Sequence, residues 1–289
     1  MSTTNLNKVM RQALVAGAGH MMPGAGNALA ARFIEAAGHK MMLVSGAAVA
    51  NNYLGVPDLG LVSVTELAEH VAAIRDVVNI PILADGDTGF GNAINARRTV
   101  QLLERAGANA IMLEDQTYPK RCGHFEGKDI ISTQEMVSKL KAAVDARKDP
   151  DLMILARTDA RAVEGFEAAL DRARAYQEAG ADFLFIEAPL TREELLAIPA
   201  AVPGIHLCNM VIGGKTPLLP REELAQAGYA VVCYANAALQ ASMLAMQQAM
   251  QYLAEHGSIQ GFESKLMMFA ERQDVLGANH FKELEKRYT

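Results

Sequence analysis

The sequence predicts an α/β chain closed into a (β/α)8 barrel. Three observations carry that expectation. Short apolar runs alternate with longer helix-period segments eight times over. The helix-period segments stop close to glycine or asparagine. The apolar runs finish, one after another, in oxygen-bearing or charged residues. Parallel α/β barrels place their active sites where the strands end, so polar residues gathered there have a chemical use. An open doubly wound sheet would need fewer units and a glycine fingerprint in its first turn. Gly17-Ala18-Gly19 and Gly24-Ala25-Gly26 lack a third glycine in place and read as turn glycines.

Along the chain, the first apolar run is 20–22 and precedes a helix over 28–37 that stops before Gly38. The run 41–44 ends in Ser45-Gly46 and leads to a helix over 64–77, with Asn79 beyond it. The run 80–84 ends in Asp85-Gly86-Asp87 and is followed by a helix over 93–106 and Gly107. The run 110–113 ends in Glu114-Asp115, and a polar stretch over 117–129 separates it from a helix over 133–147. The run 152–156 ends in Arg157-Thr158-Asp159, with a helix over 166–179 and Gly180. The run 183–186 ends in Glu187, with a helix over 192–198 and Gly204. The run 205–208 ends in Asn209, with a helix over 221–227 and Gly228. The run 230–233 leads to the eighth helix over 239–255. Glycine just past a helix end is the expected cap. The tail over 262–289 reads as helical, so residues 1–289 form a single barrel domain with a C-terminal helical extension from about 239. That extension is expected to cap the barrel or reach a neighbouring subunit.

Composition narrows the function classes. The net charge is −6 and no Lys/Arg run is long enough for a nucleic-acid stripe. Hydrophobic residues make up 51% with only 6% aromatic and no Trp, so Ala, Leu, Val and Met fill the core. The pairs Met21-Met22, Met41-Met42 and Met267-Met268, with Met243, Met246 and Met250, read as core filler and helix packing. Residues 1–11 are polar and lack the apolar stretch of a signal peptide, and no segment reaches the roughly 18 apolar residues of a membrane span. Three cysteines without CxxC pairing fit a reducing, cytoplasmic setting. The expected partner is a small molecule.

Several strand ends carry chemistry. Residues two apart on an extended chain share a side, so Asp85 and Asp87 repel unless a cation or water stands between them. Glu114 and Asp115 end the next strand, and Asp58 follows Pro57 in a loop. Hard oxygen donors without His or Cys ligands suit Mg2+ or Mn2+ better than Zn2+. The run Lys120-Arg121-Cys122-Gly123-His124 lies in the polar stretch, where cationic neighbours favour thiolate. It reads as an anion grip with a proton-transfer thiol, or as a solvated basic loop with an incidental Cys. Arg157 can hold a carboxylate through paired hydrogen bonds, or pair with Asp159 or Glu187. Asn209 and Ser45 can donate to a substrate oxygen or cap a loop. Gly213-Gly214-Lys215-Thr216 fails as a phosphate loop because position 209 is Asn, and reads as a turn. The histidines outside the thiol loop form no metal spacing.

Taken together, these motifs resemble the isocitrate lyase/phosphoenolpyruvate mutase superfamily over about 23–253. The pieces are Ser45-Gly46, 55–60, 85–92, Glu114-Asp115-Gln116, 119–124 with Gly127-Lys128, 156–160, and 209–211 with 213–217. The resemblance implies a Mg2+-dependent retro-aldol (Claisen-type) cleavage of a 2-hydroxy dicarboxylate into an α-keto acid and a second carboxylate. It implies that Asp85 contacts the metal, with Asp58, Asp87 and Glu114 completing its shell largely through water. Ser45, the Gly46 amide and Arg157 would hold the keto-acid carboxylate. Arg121, Gly123, His124, Glu187 and Asn209 would surround the other carboxylate. Cys122 would protonate the aci-carboxylate, with Arg157 and His124 counted beside it as catalytic. The eighth helix would exchange between subunits, giving a homotetramer built as a dimer of dimers.

Departures from the family pattern point to a smaller, more apolar substrate. Relatives acting on tricarboxylates carry Tyr two residues before the Ser-Gly, where this chain has Leu43, so no general base carries over. Met210-Val211 stand where hydroxyl-bearing residues are usual, and Phe125-Glu126-Gly127 also departs from the pattern. A 2-alkylated or 2,3-dialkylated malate is the expected substrate, with pyruvate and propionate as products. The stretch Tyr234-Ala235-Asn236-Ala237 departs as well and keeps 2-methylisocitrate open as the substrate. Two further readings stay open. One is a phosphonomutase-type enzyme, which needs no proton delivered to carbon. The other is a silent barrel that only binds dicarboxylates.

Overall fold

The computed structural model describes residues 5–123 and 127–289. The chain divides into two compact units, Met1–Ala237 and Ala238–Thr289. In the first unit, α1 (Leu6–Ala13) precedes β1 (His20–Ala25), α2 (Ala28–Ala36), β2 (Met42–Val44) and α3 (Gly46–Val49). A π-helical turn over Ala50–Leu54 leads to α4 (Val64–Arg75), β3 (Ile82–Asp85), α5 (Ala93–Arg105), β4 (Ala110–Glu114) and α6 (Thr133–Ala146). Then come β5 (Met153–Thr158), α7 (Ala160–Val163), α8 (Phe166–Glu178), β6 (Phe183–Ile186), α9 (Arg192–Ala201), β7 (Leu207–Asn209), α10 (Arg221–Ala227) and β8 (Val231–Tyr234). The strands pair in the order β6-β5-β4-β3-β2-β1-β8-β7. A parallel bridge between Leu184 and His206 joins β6 to the chain entering β7 and closes the expected barrel.

Strand parity sorts the core into two layers and then builds the site. Leu83, Met112, Leu155, Phe185 and Leu207 belong to the cluster inside the barrel. Their neighbours Ala84, Ile111, Ile154, Leu184 and Cys208 belong to the layer between sheet and helices. Side chains two apart on a strand share a face. Asp85, Glu114, Arg157, Glu187 and Asn209 each stand two residues past an inward apolar residue, so they inherit the inward side at the strands' C-terminal ends.

The other end is filled by α1, a segment whose polar composition gives no hint of a core role. Asn5 caps it by accepting from the Lys8 amide, and Met10 and Leu14 bury completely in the interior cluster. Arg11 ties it to the barrel through Asp182, 2.9 Å away. The strict strand–helix alternation is also broken by α3 and α7, short helices that start immediately after β2 and the β5 end.

Some expected details shift. The helix over 133–147 ends at Ala146, where Arg147 leaves the helical region, and the strand expected over 205–208 runs over Leu207–Asn209. Gly38, Gly107, Gly180 and Gly228 take left-handed conformations past their helices, but Asn79 and Gly204 cap nothing. Instead α4 stops at Arg75, and α9 stops at Ala201 just before Pro203. Gly17 and Gly19 do serve positive-φ turns. Gly24 and Gly26 serve close packing, because a Cβ on them would collide with the carbonyl oxygens of Ala235 and Ala48 respectively.

The second unit contains α11 (Ala237–His256, which begins one residue before it), a 3-10 turn over Glu263–Lys265, α12 (Phe269–Val275) and α13 (Ala278–Tyr288). The expectation that Met243, Met246 and Met250 fill a core fails: they are 53%, 55% and 60% exposed. They form an exposed apolar stripe along α11. Met267 and Met268 are likewise exposed, whereas Met22, Met41 and Met42 are buried as expected.

Candidate active site

Inside the C-terminal mouth of the barrel lies a pocket that opens to solvent. Its apolar floor includes Leu43, Leu83, Met112, Phe185 and Leu207. Its polar wall brings together Ser45, Asp58, Asp85, Cys122, Gly123, Arg157, Glu187 and Asn209, all candidate residues in the sequence. Asp87 and Glu114 are buried beside this wall. Arg121 is exposed and does not line the pocket. His124 lies outside the described residues, as do Phe125 and Glu126.

Local structure fixes the acidic group. Asp85 ends β3, its Oδ2 accepting from the Gly46 amide at 3.1 Å and its Oδ1 from the Asp87 amide at 3.2 Å. The Gly46 N–H expected to hold substrate is thus donated to Asp85 in this structure. Lys120 inserts its ammonium among these carboxylates, 2.5 Å from Asp58 Oδ1 and 3.0 Å from Asp87 Oδ1. The expected cationic loop therefore splits: Lys120 turns inward to the carboxylates and Arg121 outward. Burial works against the charge on Lys120, but Asp87, Glu114, Asp58 and Asp85 outweigh it and hold the ammonium well above its ordinary range.

Even so, the carboxylates are not fully balanced. Asp87 Oδ1 and Glu114 Oε1 are buried without a hydrogen-bond partner; Asp87 Oδ1 has only the ionic contact with Lys120. Burial pushes the Asp87 carboxyl up to about 7, helped by Asp85 and Asp58 and opposed by Lys120. Burial raises Glu114 as well, against the pull of Arg157. Among the described residues no three carboxylate, thiol or imidazole groups converge as a preformed cage. Orphaned hard oxygens in an under-neutralised cluster fit a hard divalent cation that keeps several of its waters.

Arg157 makes the pairs posed as the rival to substrate binding. Its Nε and Nη2 meet Asp159 Oδ2 and Oδ1 at 2.9 and 3.1 Å. Nη1 stands 3.2 Å from Glu114 Oε2, and Nη2 3.3 Å from Glu187 Oε2. The guanidinium also lies over the Phe185 ring, 5.5 Å from its centroid. It still lines the pocket, so it is a held cation that can meet an anion from the open side.

Cys122 is half-buried at the pocket wall, and its amide donates to the Asp58 carbonyl at 3.2 Å. Glycine suits the next position, because a Cβ on Gly123 would lie 2.5 Å from Arg157 Nη2 and 2.6 Å from Glu187 Oε2 and would have to displace these paired side chains. Ser45 caps α3 by accepting from the Ala48 amide and donates weakly to Asn236 at 3.5 Å. Asn209 accepts from the Ala235 amide at 3.4 Å.

From the sequence, Asp115 reads as a possible oxygen ligand. Parity turns it outward, away from the pocket. Its carboxylate accepts from Thr158 Oγ1 and Tyr176 OH at 2.7 Å and from the Asp159 amide at 2.9 Å. The sequence places Lys120 in a candidate anion grip but not among the carboxylates, and it assigns no role to Lys128 or Asn236; the burial of a lysine gives no signal until its carboxylate partners are placed.

The chain matches the family model described as phosphoenolpyruvate phosphomutase over residues 10–254. It is 43% identical to a 2,3-dimethylmalate lyase of Eubacterium barkeri, covering 92% of each chain. It is also 43% identical to a 2-methylisocitrate lyase of Aeropyrum pernix, covering 92% of this chain and 84% of that one. Its fold superposes on the crystal structure of a phosphonopyruvate hydrolase in complex with oxalate and Mg2+ with a TM-score of 0.87, 32% identity and 98% coverage of each chain.

Proposed function

This chain belongs to the phosphoenolpyruvate phosphomutase family, within the superfamily that includes isocitrate lyase, and from that premise we propose a divalent-metal-dependent carbon–carbon lyase acting on 2,3-dimethylmalate. The products are pyruvate and propionate. One observation carries the reading: a thiol, an acidic metal-binding group and an anchored arginine share one pocket, through Cys122, Asp85 and Arg157.

Asp85, Asp58, Asp87 and Glu114 would hold the metal, which would supply Lewis-acid stabilisation of the forming carbonyl. Arg157 and Ser45 orient the keto-acid carboxylate, and Glu187 and Asn209 face the other end of the substrate. The 2-hydroxyl proton passes to water at the pocket mouth, the C2–C3 bond breaks as the C2 carbonyl forms, and the bond's electron pair moves onto C3 beside the second carboxylate. Cys122 then gives its proton to C3 and is left as thiolate.

Leu43 and Val211 in the pocket lining support alkyl substituents over a third carboxylate. The equal 43% identities to a dimethylmalate and a methylisocitrate lyase leave the choice to that lining. The test is a pyruvate assay coupled to lactate dehydrogenase with Mg2+, over dimethylmalate, methylisocitrate, citramalate, oxaloacetate and isocitrate. Preference for dimethylmalate is expected; preference for methylisocitrate would overturn the substrate assignment. A phosphonomutase is the second reading, favoured by the family description, but it leaves the pocket thiol without a task.

The apolar stripe of α11 supports exchange of this helix between subunits and a homotetramer, which light-scattering mass measurement decides. No helix among the described residues is long and apolar enough to cross a membrane. Three cysteines held as thiols, Cys122, Cys208 and Cys233, support a cytoplasmic setting.

A further inference from the structure

Lys128 takes no part in the chemistry above, yet its side chain is only 2% exposed. Burying an ammonium costs several kcal/mol unless its partners are well placed. Here they are: Nζ donates to the Gly123 carbonyl at 2.5 Å and to Asp159 Oδ1 at 2.7 Å. The same Asp159 oxygen accepts from Arg157 Nη2 at 3.1 Å, and its other oxygen accepts from Arg157 Nε. Asp159 therefore bridges two cations, one gripping the turn after Cys122 and the other facing the pocket. Gly123 also packs closely on Arg157 and Glu187, where an added Cβ would lie 2.5 and 2.6 Å from their terminal atoms.

We propose that Lys128 is a positioning residue that latches the Cys122–Gly123 turn onto Asp159 and so sets the thiol against Arg157. Its importance for turnover rests on the lyase reading; the latch itself does not. Gly123 lies between the latch and Cys122 in the chain, so releasing its carbonyl frees the thiol to move. Asp159 would lose one of its two cations, and Arg157 would shift with it.

The experiment is alkylation of the full-length protein by iodoacetamide, followed at each cysteine by mass spectrometry, with and without Lys128→Met. Cys208 and Cys233 are buried and report global unfolding in the same sample. The variant is expected to alkylate at Cys122 about tenfold faster while Cys208 and Cys233 stay protected, because opening is local. Turnover is expected to fall about a hundredfold, the usual consequence of an ångström-scale displacement of a reacting group. A Cys122 alkylation rate within about twofold of the parent's would overturn the proposal. If all three thiols react together the variant has unfolded, and Asp159→Asn, which breaks the latch from its other end, decides by the same comparison. Alkylation needs no substrate, so faster labelling with no cleavage by the parent would overturn the lyase reading and leave the latch standing.

Discussion

Glu114 and Arg157 are register partners on adjacent strands, and the arginine's Nη1 stands 3.2 Å from the glutamate's Oε2. The pair joins the two halves of the pocket chemistry. Glu114 belongs to the acidic group that suits a metal, and Arg157 lines the pocket wall as a cation that can meet an anion. Arg157 is not held by Glu114 alone, since it also pairs with Asp159 and Glu187.

Arg157→Met would leave those three carboxylates buried without their common cation. Breaking a buried ion pair from one side costs about 3–5 kcal/mol. Urea denaturation is expected to show a loss of that order, together with loss of turnover. Unchanged stability would mean that the lattice does not support the fold.

Lys120 and a divalent cation are drawn to the same carboxylates. Chelation with EDTA is expected to abolish turnover, and Mg2+ or Mn2+ to restore it. Lys120→Met should lower the thermal midpoint without metal and tighten Mg2+ binding about tenfold, because a competing unit charge within 4 Å is worth about 1–4 kcal/mol. Thermal shift against Mg2+ concentration reads both effects. Weaker binding in the variant would place Lys120 in support of the metal rather than in competition with it.

Asp159 sets the response to acid. Burial raises its carboxyl, but Arg157 and Lys128 outweigh burial and hold it at about 2, below its ordinary 3.8. The folded chain thus binds this proton more weakly than the unfolded chain. Its contribution to stability is complete above about pH 4 and is lost as the pH falls towards 2. Asp159→Asn should be destabilised near neutrality, and its gap from the parent should close across that window in urea melts. A gap independent of pH would contradict the assignment.

Gly123→Ala places a methyl group 2.5 Å from Arg157 Nη2. Either the turn or the Arg157 and Glu187 side chains must shift, and turnover is expected to fall about a hundredfold while the thermal midpoint changes little. Steady-state kinetics beside a melting curve separate the two.

Much of this architecture is legible in the sequence. Alternating runs announce the barrel, and the polar residues at their ends identify most of the pocket wall. Parity sharpens the reading: Met112 and Glu114 share a face, so Asp115 must take the other, and the structure places it in the Thr158–Tyr176 network. The short strand-end helices are not legible, because four residues such as Gly46–Val49 are too few to show a helical period. The plug α1 is hidden because Met10 and Leu14 are its only deeply buried apolar anchors in a polar stretch. The sequence leaves the Lys120 run as an anion grip or a solvated loop and gives Lys128 no role, since their burial comes from carboxylates far away in the chain.

Pyruvate formation from 2,3-dimethylmalate by Cys122→Ser, measured in a single turnover with saturating Mg2+, tests the central claim most directly. A serine hydroxyl keeps the shape of the side chain but is a far weaker acid than a thiol. Near-complete loss of turnover with substrate still bound is predicted. Turnover at the parent's rate would show that the proton reaches carbon from another group.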